Sequence, residues 1–323
     1  MPPLVSILIP CHNAAAWLAQ TVESALAQTW PRTEIIVVDD GSGDDSRAIA
    51  ARHRPQGVML LAQPNRGASA ARNAAIAASR GEWLQFLDAD DLLAPDKIAR
   101  QMAAALSAGE AYLYAADWSR FRESPVDADF TPQRLCADAS PVDWVVEKFE
   151  HHAMMHPAAW LAPRGLAGRA GPWNEALSLD DDGEYFTRLV LASAGVRHCP
   201  GAVSYYRSGL PGSQSDEKSD RAWASAFLSL ELSADRLLVA EDSPRTRHAC
   251  ATAYQRFLYE AYPHAPDCRR LAAARAAACG GSALEPEGGP QFQLARRLVG
   301  WRLARRLQLG AARCGSLFRH DNR

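Results

Sequence analysis

The chain has 323 residues, a formal net charge of −2 and 48% hydrophobic residues. This length fits one large domain or two unequal domains, and the composition excludes disordered and collagen-like chains. No apolar run reaches the roughly 18–20 residues that a membrane span needs, and the first ten residues lack the basic start of a signal peptide. The seven cysteines form no C-x-x-C pair. Together these features predict a cytoplasmic protein with reduced thiols.

The first 120 residues alternate between two periodic patterns. Short apolar runs predict buried strands at residues 4–9, 34–38, 58–62 and 82–87. Helical spacing predicts helices at residues 17–26, 42–54, 68–79 and 95–105. The second of these helices begins with a capping-box pattern at residues 42–45. Repeated β-α units of this kind predict an α/β fold with a mostly parallel sheet covered by helices.

Beyond residue 118 this alternation stops. Residues 118–150 contain several Asp and Pro residues without a clear period, which predicts an irregular insertion. Helical and strand patterns return at residues 184–194 and 196–205, and a loop pattern covers 210–218. From Ala222 onward the pattern is helical.

Polar residues follow each of the four predicted strands. They are Pro10-Cys11-His12-Asn13, Asp39-Asp40-Gly41-Ser42, Asn65-Arg66-Gly67 and Asp88-Ala89-Asp90-Asp91. In open α/β sheets, ligands bind beyond the carboxyl ends of the strands. Four polar strand ends on one sheet edge therefore predict a binding site there.

The residue types at this edge indicate what it binds. Asp88 and Asp90 offer the hard oxygen ligands that Mg²⁺ or Mn²⁺ prefers. Arg72 adds a cation for phosphates near the start of a predicted helix, and Asp40 is an acceptor for a base or ribose. Together they predict a nucleoside-diphosphate site. The alternative, a merely solvated acidic approach to the next helix, is disfavoured by the position directly after a strand.

Four motifs in order resemble glycosyltransferase family 2. They are V-S-I-L-I-P-C-H-N, E-I-I-V-V-D-D-G-S, N-R-G-A-S-A-A-R-N and G-E-W-L-Q-F-L-D-A-D-D. The clear similarity covers residues 4–117. A looser match runs from W-N-E-A-L-S-L-D-D-D-G-E-Y-F-T-R to Tyr205-Tyr206-Arg207. The resemblance implies a GT-A fold, which is Rossmann-like with a mostly parallel sheet and helices on both faces, here followed by a C-terminal helical extension.

The resemblance also implies an activity. It is an inverting, metal-dependent transfer of a sugar from a nucleotide-diphosphate donor, UDP-sugar first, to a hydroxyl of a saccharide, lipid-linked or protein acceptor. Such a reaction belongs to the synthesis of cell-surface polysaccharides or glycoconjugates. We then expect a catalytic domain at 1–215 with an acceptor-side insertion at 118–180. A helical region at 216–323 would end in a basic tail at 291–323.

Roles for individual residues follow from the resemblance. Pro10, His12, Asn13 and Asp40 would line the pocket for the nucleotide. Arg72 would lie beside the diphosphate, Asp88 would contact ribose or metal-bound water, and Asp90 would coordinate Mn²⁺ or Mg²⁺. A closing segment over the diphosphate is implied for Tyr205, Tyr206 and Arg207, with Ser213 and Ser215.

The base of the reaction is expected in the acidic run Asp180-Asp181-Asp182. The resemblance implies Asp182 as general base with Asp181 as its neighbour, and the register between these two stays open. A family-type arginine follows at Arg188. The alternative is a solvated acidic turn that caps the helix from Gly183, which the motif context disfavours.

Other candidates have structural interpretations that we favour. His151, His152 and His156 include an i, i+4 pair that is able to bind metal, but Pro157 follows at once, which favours hydrogen-bonded or acceptor-side histidines. Trp173 is more typical of packing than of sugar stacking. Neither G-x-G-x-x-G nor G-x-x-x-x-G-K-[ST] occurs.

The last 34 residues are strongly basic. Eight arginines face the single acid Asp321, a charge of about +7, so the rest of the chain carries about −9 of the total. Peripheral contact with an anionic membrane and an ordinary solvated helical tail both fit this pattern. A nucleic-acid partner is not expected, since no binding motif accompanies the charge.

Two rival functions remain open from the sequence. A sugar-phosphate nucleotidyltransferase needs a similar sheet, metal and nucleotide pocket, but residues 10–13 lack its Gly-rich loop. A non-catalytic nucleotide-sugar-binding protein on the same fold is the other alternative.

Overall fold

The computed structural model describes residues 1–209 and 219–320, with side chains through residue 310. Its centre is a sheet of eight strands in these residues. They are β1 (Val5–Cys11), β2 (Thr33–Asp40), β3 (Met59–Gln63), β4 (Trp83–Phe86), β5 (Leu92–Leu93), β6 (Leu113–Phe121), β7 (Trp160–Pro163) and β8 (Val196–Arg207). Their order across the sheet is β3-β2-β1-β4-β7-β6-β8-β5.

The sheet has a parallel half and a mixed half. Strands β3, β2, β1 and β4 pair in parallel, and all seven residues of β1 are buried between neighbours on both sides. Strand β7 is antiparallel to β4 and β6, β8 is parallel to β6, and β5 is antiparallel to β8. The predicted α/β fold with a mostly parallel sheet is confirmed. Continuous apolar runs form the parallel half because helices cover such strands.

Eleven helices accompany the sheet in the described part of the chain. They are α1 (Leu18–Leu26), α2 (Ser46–Arg52), α3 (Ala68–Ala78), α4 (Lys97–Ala108), α5 (Pro141–His151), α6 (Arg164–Ala170), α7 (Asp181–Leu191), α8 (Asp220–Ala240), α9 (Pro244–Glu260), α10 (Pro266–Ala278) and α11 (Pro290–His320). Helix α1 shows how the sequence positions them: Leu18, Val22 and Ala25 are fully buried on one face.

Two local predictions need correction. The segment 118–150 lacks strands and α-helices only at residues 122–140, because β6 continues to Phe121 and α5 begins at Pro141. Ser140 caps α5 by accepting from the Asp143 amide at 3.2 Å, and its buried Trp144 and Phe149 give too short an apolar pattern to recognise.

The predicted capping box at residues 42–45 does not form. Helix α2 begins only at Ser46, whose amide donates to Asp44 Oδ1 at 3.0 Å. Ser42 instead accepts from the Asn13 amide at 3.0 Å. The polar run therefore connects two loops rather than opening a helix.

The C-terminal helices pack onto the sheet domain beside the start of α7. Helix α8 contacts α7, and α9 contacts α5 and α10. Helix α11 bends at Gly300, where φ is +76°, and Phe292 and Ala304 are its buried contacts. None of the described helices is long and apolar enough to cross a bilayer. The predicted loop 210–218, with Ser213 and Ser215, and the domain boundary at 215 lie outside the described residues.

Candidate active site

The loops after β1, β2 and β3 meet at one edge of the sheet. His12 Nδ1 lies 2.9 Å from the Asp40 carbonyl oxygen, and Asn65 Nδ2 lies 3.2 Å from His12 Nε2. Asn13 has a positive φ of 49°, and its Oδ1 accepts from the Gly43 amide at 2.8 Å. His12 and Asn13 are exposed, so a ligand at this edge is able to reach them.

Pro10 and Asp40 are buried beneath the same edge. Pro10 lies within β1. The Asp40 carboxylate accepts from the amides of Arg66 at 2.9 Å and Gly67 at 2.8 Å, and from the Gln63 side chain at 2.7 Å. Asp40 therefore fixes the turn that leads into α3, and its contact with a nucleotide stays a prediction.

Arg72 on α3 connects the two acidic segments of the site. Its two terminal nitrogens donate to Asp88 Oδ1 at 2.7 Å and to Asp181 Oδ2 at 2.8 Å. The guanidinium lies 4.4 Å from the centre of the Trp173 ring. Although burial opposes it, the two carboxylates raise the pKa of Arg72 above its ordinary value. This fixed cation lies where the sequence predicts a group beside the diphosphate.

Asp88 and Asp90 follow β4 and are both half-buried. Asp88 is paired with Arg72, whereas no other described residue donates a hydrogen bond to the Asp90 carboxylate. Burial raises the pKa of Asp90 to about 7, and the neighbouring Asp91 and Asp88 add to this shift. The nearby charge of Arg207 only partly offsets this shift, and a carboxylate that lies among like charges without an ion-pair partner fits a divalent metal ion. The donor set at Asp88 and Asp90 therefore fits the predicted Mg²⁺ or Mn²⁺.

A buried hydrogen-bond network lies below the Asp90 loop. Asp91 Oδ2 is 2.9 Å from His156 Nδ1, and His156 Nε2 is 2.9 Å from Ser204 Oγ. Burial raises the pKa of Asp91 and lowers that of His156 to about 3. His156 is thus satisfied internally, whereas His151 and His152 are exposed, so the three histidines form no shared metal site.

Arg207 also supports this loop. Its amide donates to Asp91 Oδ1 at 2.9 Å and its Nε donates to the Asp90 carbonyl at 2.9 Å. The guanidinium lies 4.3 Å from the ring centres of both Trp17 and Phe121, and the residue is only 2% exposed. In this geometry Arg207 supports the loop that carries Asp90, and its contact with the diphosphate stays a prediction.

Asp181 and Asp182 begin helix α7 and differ in their partners. Asp181 accepts from Ser69 Oγ at 2.8 Å and from Arg72 at 2.8 Å. Asp182 accepts only from the adjacent Gly183 amide, at 2.9 Å, among the described groups. Burial raises the pKa of Asp182 to about 7, and Asp181 and Asp180 add to the shift. Unlike Asp181, Asp182 forms no ion pair among the described residues, although the nearby charge of Arg72 partly offsets the rise in its pKa.

The backbone before Asp181 is held in an unusual conformation. Asp180 has φ +62°, and its carboxylate accepts from Ser229 Oγ of α8 at 2.6 Å. A Cβ at Gly183 would collide with the Asp180 carboxyl group, so glycine is required there. Lys148 Nζ donates to the Gly183 carbonyl at 2.7 Å. The sequence analysis missed Ser69, Lys148 and Ser229, because only tertiary contacts bring them to α7.

Trp173 and Arg188 prove to be structural. Trp173 is 1% exposed and stacks on Tyr185 with ring centres 4.0 Å apart, so packing is confirmed over sugar stacking. Arg188 pairs with Glu184 at 2.6 Å and also bonds the Pro172 carbonyl at 2.8 Å. Together they hold the loop before α7 against the core.

A separate group of metal-ligand types lies on the far part of the sheet. Asp117, Cys136 and His198 bring their ligand atoms within 4.8 Å of one another, and no other such group of three occurs among the described side chains. His198 Nε2 is 2.8 Å from Asp117 Oδ1, and the Cys136 thiol donates to the Ala116 carbonyl. Each polar group already has a protein partner, so we assign no metal to this cluster.

Known proteins match this chain most clearly over its first part. The sequence profile of glycosyl transferase family 2 matches residues 6–130. The succinoglycan biosynthesis protein ExoO of Rhizobium meliloti is 41% identical over 108 residues, which is 33% of this chain and 31% of that protein. The chain thus matches only about a third of that relative's length.

Solved structures match over most of the chain. Staphylococcus aureus TarS 1-349 in complex with UDP-GlcNAc has a TM-score of 0.60 at 15% identity and covers 87% of this chain and 93% of that one. The mannosyltransferase PcManGT from Pyrobaculum calidifontis, in complex with GDP-Man and Mn²⁺, has a TM-score of 0.53 at 18% identity, covering 97% and 81%. These likenesses establish the fold. The chain has the GT-A fold, and its residues 6–130 match the profile of glycosyl transferase family 2.

Proposed function

We propose that this protein is an inverting, metal-dependent glycosyltransferase. It would move a sugar from a nucleotide-diphosphate donor to an acceptor hydroxyl, in the synthesis of a polysaccharide or glycoconjugate. The observation that carries the proposal is the pair of carboxyl groups without ion-pair partners among the described residues, Asp90 and Asp182, in the two segments that the fixed cation Arg72 connects. The family profile match and the similarity to ExoO support the same reaction class.

The donor would lie along the edge formed by the loops after β1, β2 and β4. Exposed His12 and Asn13 are placed to contact the nucleotide, and Arg72 to contact the diphosphate. TarS with UDP-GlcNAc and PcManGT with GDP-Man support a nucleotide sugar as the donor, with UDP-sugar our first choice.

Asp90, assisted by Asp88, would hold the Mn²⁺ or Mg²⁺. When bound, such an ion supplies Lewis-acid stabilisation for charge that develops on the departing diphosphate. The structural neighbour PcManGT with Mn²⁺ supports this assignment. Arg72 supplies a second, permanent positive charge on the same side of the site.

Asp182 would act as the general base. The acceptor hydroxyl gives its proton to the Asp182 carboxylate while its oxygen forms a bond to the anomeric carbon. The bond from that carbon to the diphosphate oxygen breaks, and its electron pair leaves with the nucleotide. Attack opposite to the departing group inverts the anomeric centre. Asp181 is less suited to this role because Arg72 and Ser69 occupy its carboxylate.

A donor screen tests the proposal directly. Thermal unfolding of the purified protein is measured with UDP-sugars and GDP-sugars, with and without Mn²⁺, since a ligand that binds the native state raises the melting temperature. We expect a rise with one donor that depends on Mn²⁺ and is followed by release of the nucleoside diphosphate. Absence of any nucleotide-sugar binding would overturn the proposed function.

We further propose that α11 rests on an anionic membrane. Leu294, Leu298, Leu303 and Leu307 are 47–76% exposed on this helix. Arg297, Arg302 and Arg306 are exposed beside them. Exposed leucines with flanking arginines are typical of helices that lie in a lipid interface.

Two other arginines of this helix contact the protein. Arg296 pairs with Glu285 at 2.7 Å, and Arg305 bonds the Glu287 carbonyl at 2.9 Å. These two arginines therefore have partners within the protein, whereas Arg297, Arg302 and Arg306 are exposed.

Vesicle sedimentation tests this contact. The double variant Leu298→Glu/Leu303→Glu should lose binding to phosphatidylglycerol vesicles, whereas Leu271→Glu, an equally exposed leucine on α10, should retain it. Equal binding by wild type to phosphatidylglycerol and to neutral phosphatidylcholine vesicles would contradict an electrostatic contact.

A further inference from the structure

A cavity of about 370 Å³ lies beside Asp182. Its wall comes from α5, the residues after α5, the start of α7, and helices α8 and α9. The volume falls in the range of roughly 300–1,000 Å³ that small-molecule sites occupy. Much of this wall therefore belongs to the helical region, beyond the part of the chain that matches the family profile.

The wall of the cavity is largely aromatic. The rings that line it are Trp144, Phe149, Phe186, Trp223 and Phe257. Aromatic faces with polar groups at their edges suit a ligand that has both an apolar face and hydroxyl groups. A sugar ring has this character, because its C–H bonds form a face and its hydroxyls lie around the rim.

Several lining residues carry buried donors that lack a partner. Trp144 Nε1, Trp223 Nε1, Ser233 Oγ and Arg256 Nε make no hydrogen bond among the described residues. Ser233 is 2% exposed and Arg256 is 8% exposed. Buried donors without partners are rare in native proteins, and a group of four around one cavity indicates a ligand or water that supplies oxygen acceptors.

The charges of the lining argue against an anion. Lys148 is bonded to Gly183 and Thr187, and Arg256 donates through its terminal nitrogens to the carbonyls of Phe149 and Glu150. These cations thus already have acceptors.

Asp180, Asp182 and Glu260 also line the cavity. Burial raises the pKa of Glu260, and the ring of His152 lies 3.3 Å from its carboxyl group. Carboxyl oxygens accept hydrogen bonds from neutral hydroxyls in either protonation state, whereas an ionised carboxylate repels a phosphate.

We propose that this cavity is the acceptor site and that it receives an uncharged saccharide ring, with one hydroxyl directed at Asp182. Its role as acceptor site rests on the proposed function, whereas saccharide binding itself does not. Acceptor recognition would then extend beyond the segment 118–180, because α8 and α9 supply Trp223, Ser233 and Arg256.

Direct binding of defined probes tests the proposal. Saturation-transfer NMR is recorded with methyl glycosides of glucose, galactose, mannose and N-acetylglucosamine, and with glucose 6-phosphate. We expect a signal from at least one methyl glycoside and at least tenfold weaker binding of the phosphorylated sugar. Ala226→Trp, which fills the cavity from α8, should abolish the signal.

Matched variants separate blocking from unfolding. Ala224→Trp adds the same ring to an exposed position of α8 outside the cavity and should bind as wild type does. Trp223→Phe keeps an aromatic ring but removes one unpaired donor, and it should weaken binding several-fold. If Ala226→Trp fails to fold, the binding measured with Trp223→Phe tests the proposal in its place.

Three results would each overturn the proposal. They are the absence of a signal from every methyl glycoside, a signal that survives Ala226→Trp, and equal binding of glucose 6-phosphate. UDP binding by the wild-type protein, measured in parallel, reports on the proposed function by itself. If the wild-type protein binds a methyl glycoside but does not bind UDP, the result counts against the proposed transferase and not against the saccharide site.

Discussion

The two acidic clusters of the site have the same composition but different surroundings. In each, one carboxylate is paired with Arg72, namely Asp88 after β4 and Asp181 at α7. In each, a second carboxylate, Asp90 or Asp182, forms no ion pair among the described residues. Burial raises its pKa to about 7, although a nearby arginine acts in the opposite direction. The paired member orients its segment, and the unpaired member is available for chemistry.

What differs is the space that each unpaired carboxylate faces. Asp90 sits on a loop held from below by Arg207 and by the Asp91–His156 pair. Asp182 lines an aromatic cavity formed largely by helices. The first environment suits a metal ion and a diphosphate, and the second suits an acceptor hydroxyl. Similar carboxylates thus acquire different roles from their neighbours.

The largest effect is expected from Asp182→Asn. Removal of the base should lower the transfer rate by about 10²–10⁴-fold while donor binding is retained. Transfer and donor affinity are measured on the same preparation. The matched variant Asp181→Asn should instead disturb the Arg72 contact and weaken donor binding. Full transfer activity in Asp182→Asn would end the assignment of the base.

The next effect is expected from Asp90→Asn. Loss of this carboxylate should remove the dependence of donor binding on Mn²⁺, because Asp88 alone is engaged by Arg72. The change is checked by calorimetry with UDP in the presence and absence of Mn²⁺. Asp96→Asn, an exposed carboxylate on the next turn, is the control. Unchanged Mn²⁺ dependence would place the metal elsewhere.

The rate of transfer should depend on pH through Asp182. Because the base must be ionised and burial raises its pKa to about 7, kcat/KM should rise about tenfold per pH unit below 7 and level off above it. Initial rates from pH 5 to 9 at saturating Mn²⁺ measure this. A rate that is flat between pH 5 and 7 would show that Asp182 is not the titrating base.

Arg72→Lys should break the link between the clusters. One ammonium group cannot span Asp88 and Asp181 as the guanidinium does, so we expect a loss of about 1–3 kcal/mol in the free energy of unfolding, together with weaker UDP binding. Denaturant unfolding measures the change. Arg100→Lys, in an exposed pair with Asp96, should change stability by less than about 1 kcal/mol. Equal effects of both variants would remove the bridging role of Arg72.

The smallest effect on chemistry is expected from His156→Ala. It removes the partner of Asp91 Oδ2 and of Ser204 Oγ, which should lower the free energy of unfolding by about 1–3 kcal/mol, while the Arg207 amide still donates to Asp91 Oδ1. Transfer should fall only several-fold, through the position of Asp90. His151→Ala, on the surface of α5, should leave both quantities near wild type. A catalytic loss as large as that of Asp182→Asn would show that His156 does more than support the loop.

Local sequence patterns predicted the parallel half of the sheet and its polar edge. Apolar runs such as residues 34–38 are short, continuous and followed by polar residues, and these local signals survive folding because each strand buries its own run. The order of four motifs was enough to recognise the resemblance to the family whose profile matches residues 6–130. Local position also pointed to the candidate site residues, because each follows a strand or lies near the start of a helix. These residues are Asp88, Asp90, Arg72 and the run Asp180–Asp182.

The pairing of these residues depends on long-range contacts in the folded chain. Arg72 is the neighbour of Asp181 across more than a hundred residues of chain, and Arg207 folds back beneath Asp90. Asp181 and Asp182 differ in ion pairing and in burial, and neither property is visible from their order in the sequence. The cavity beside Asp182 depends on α8 and α9 packing against α5 and α7. Long-range contacts determine which carboxylates form ion pairs. The ion pairs in turn determine which of several chemically identical carboxylates is available for a reaction.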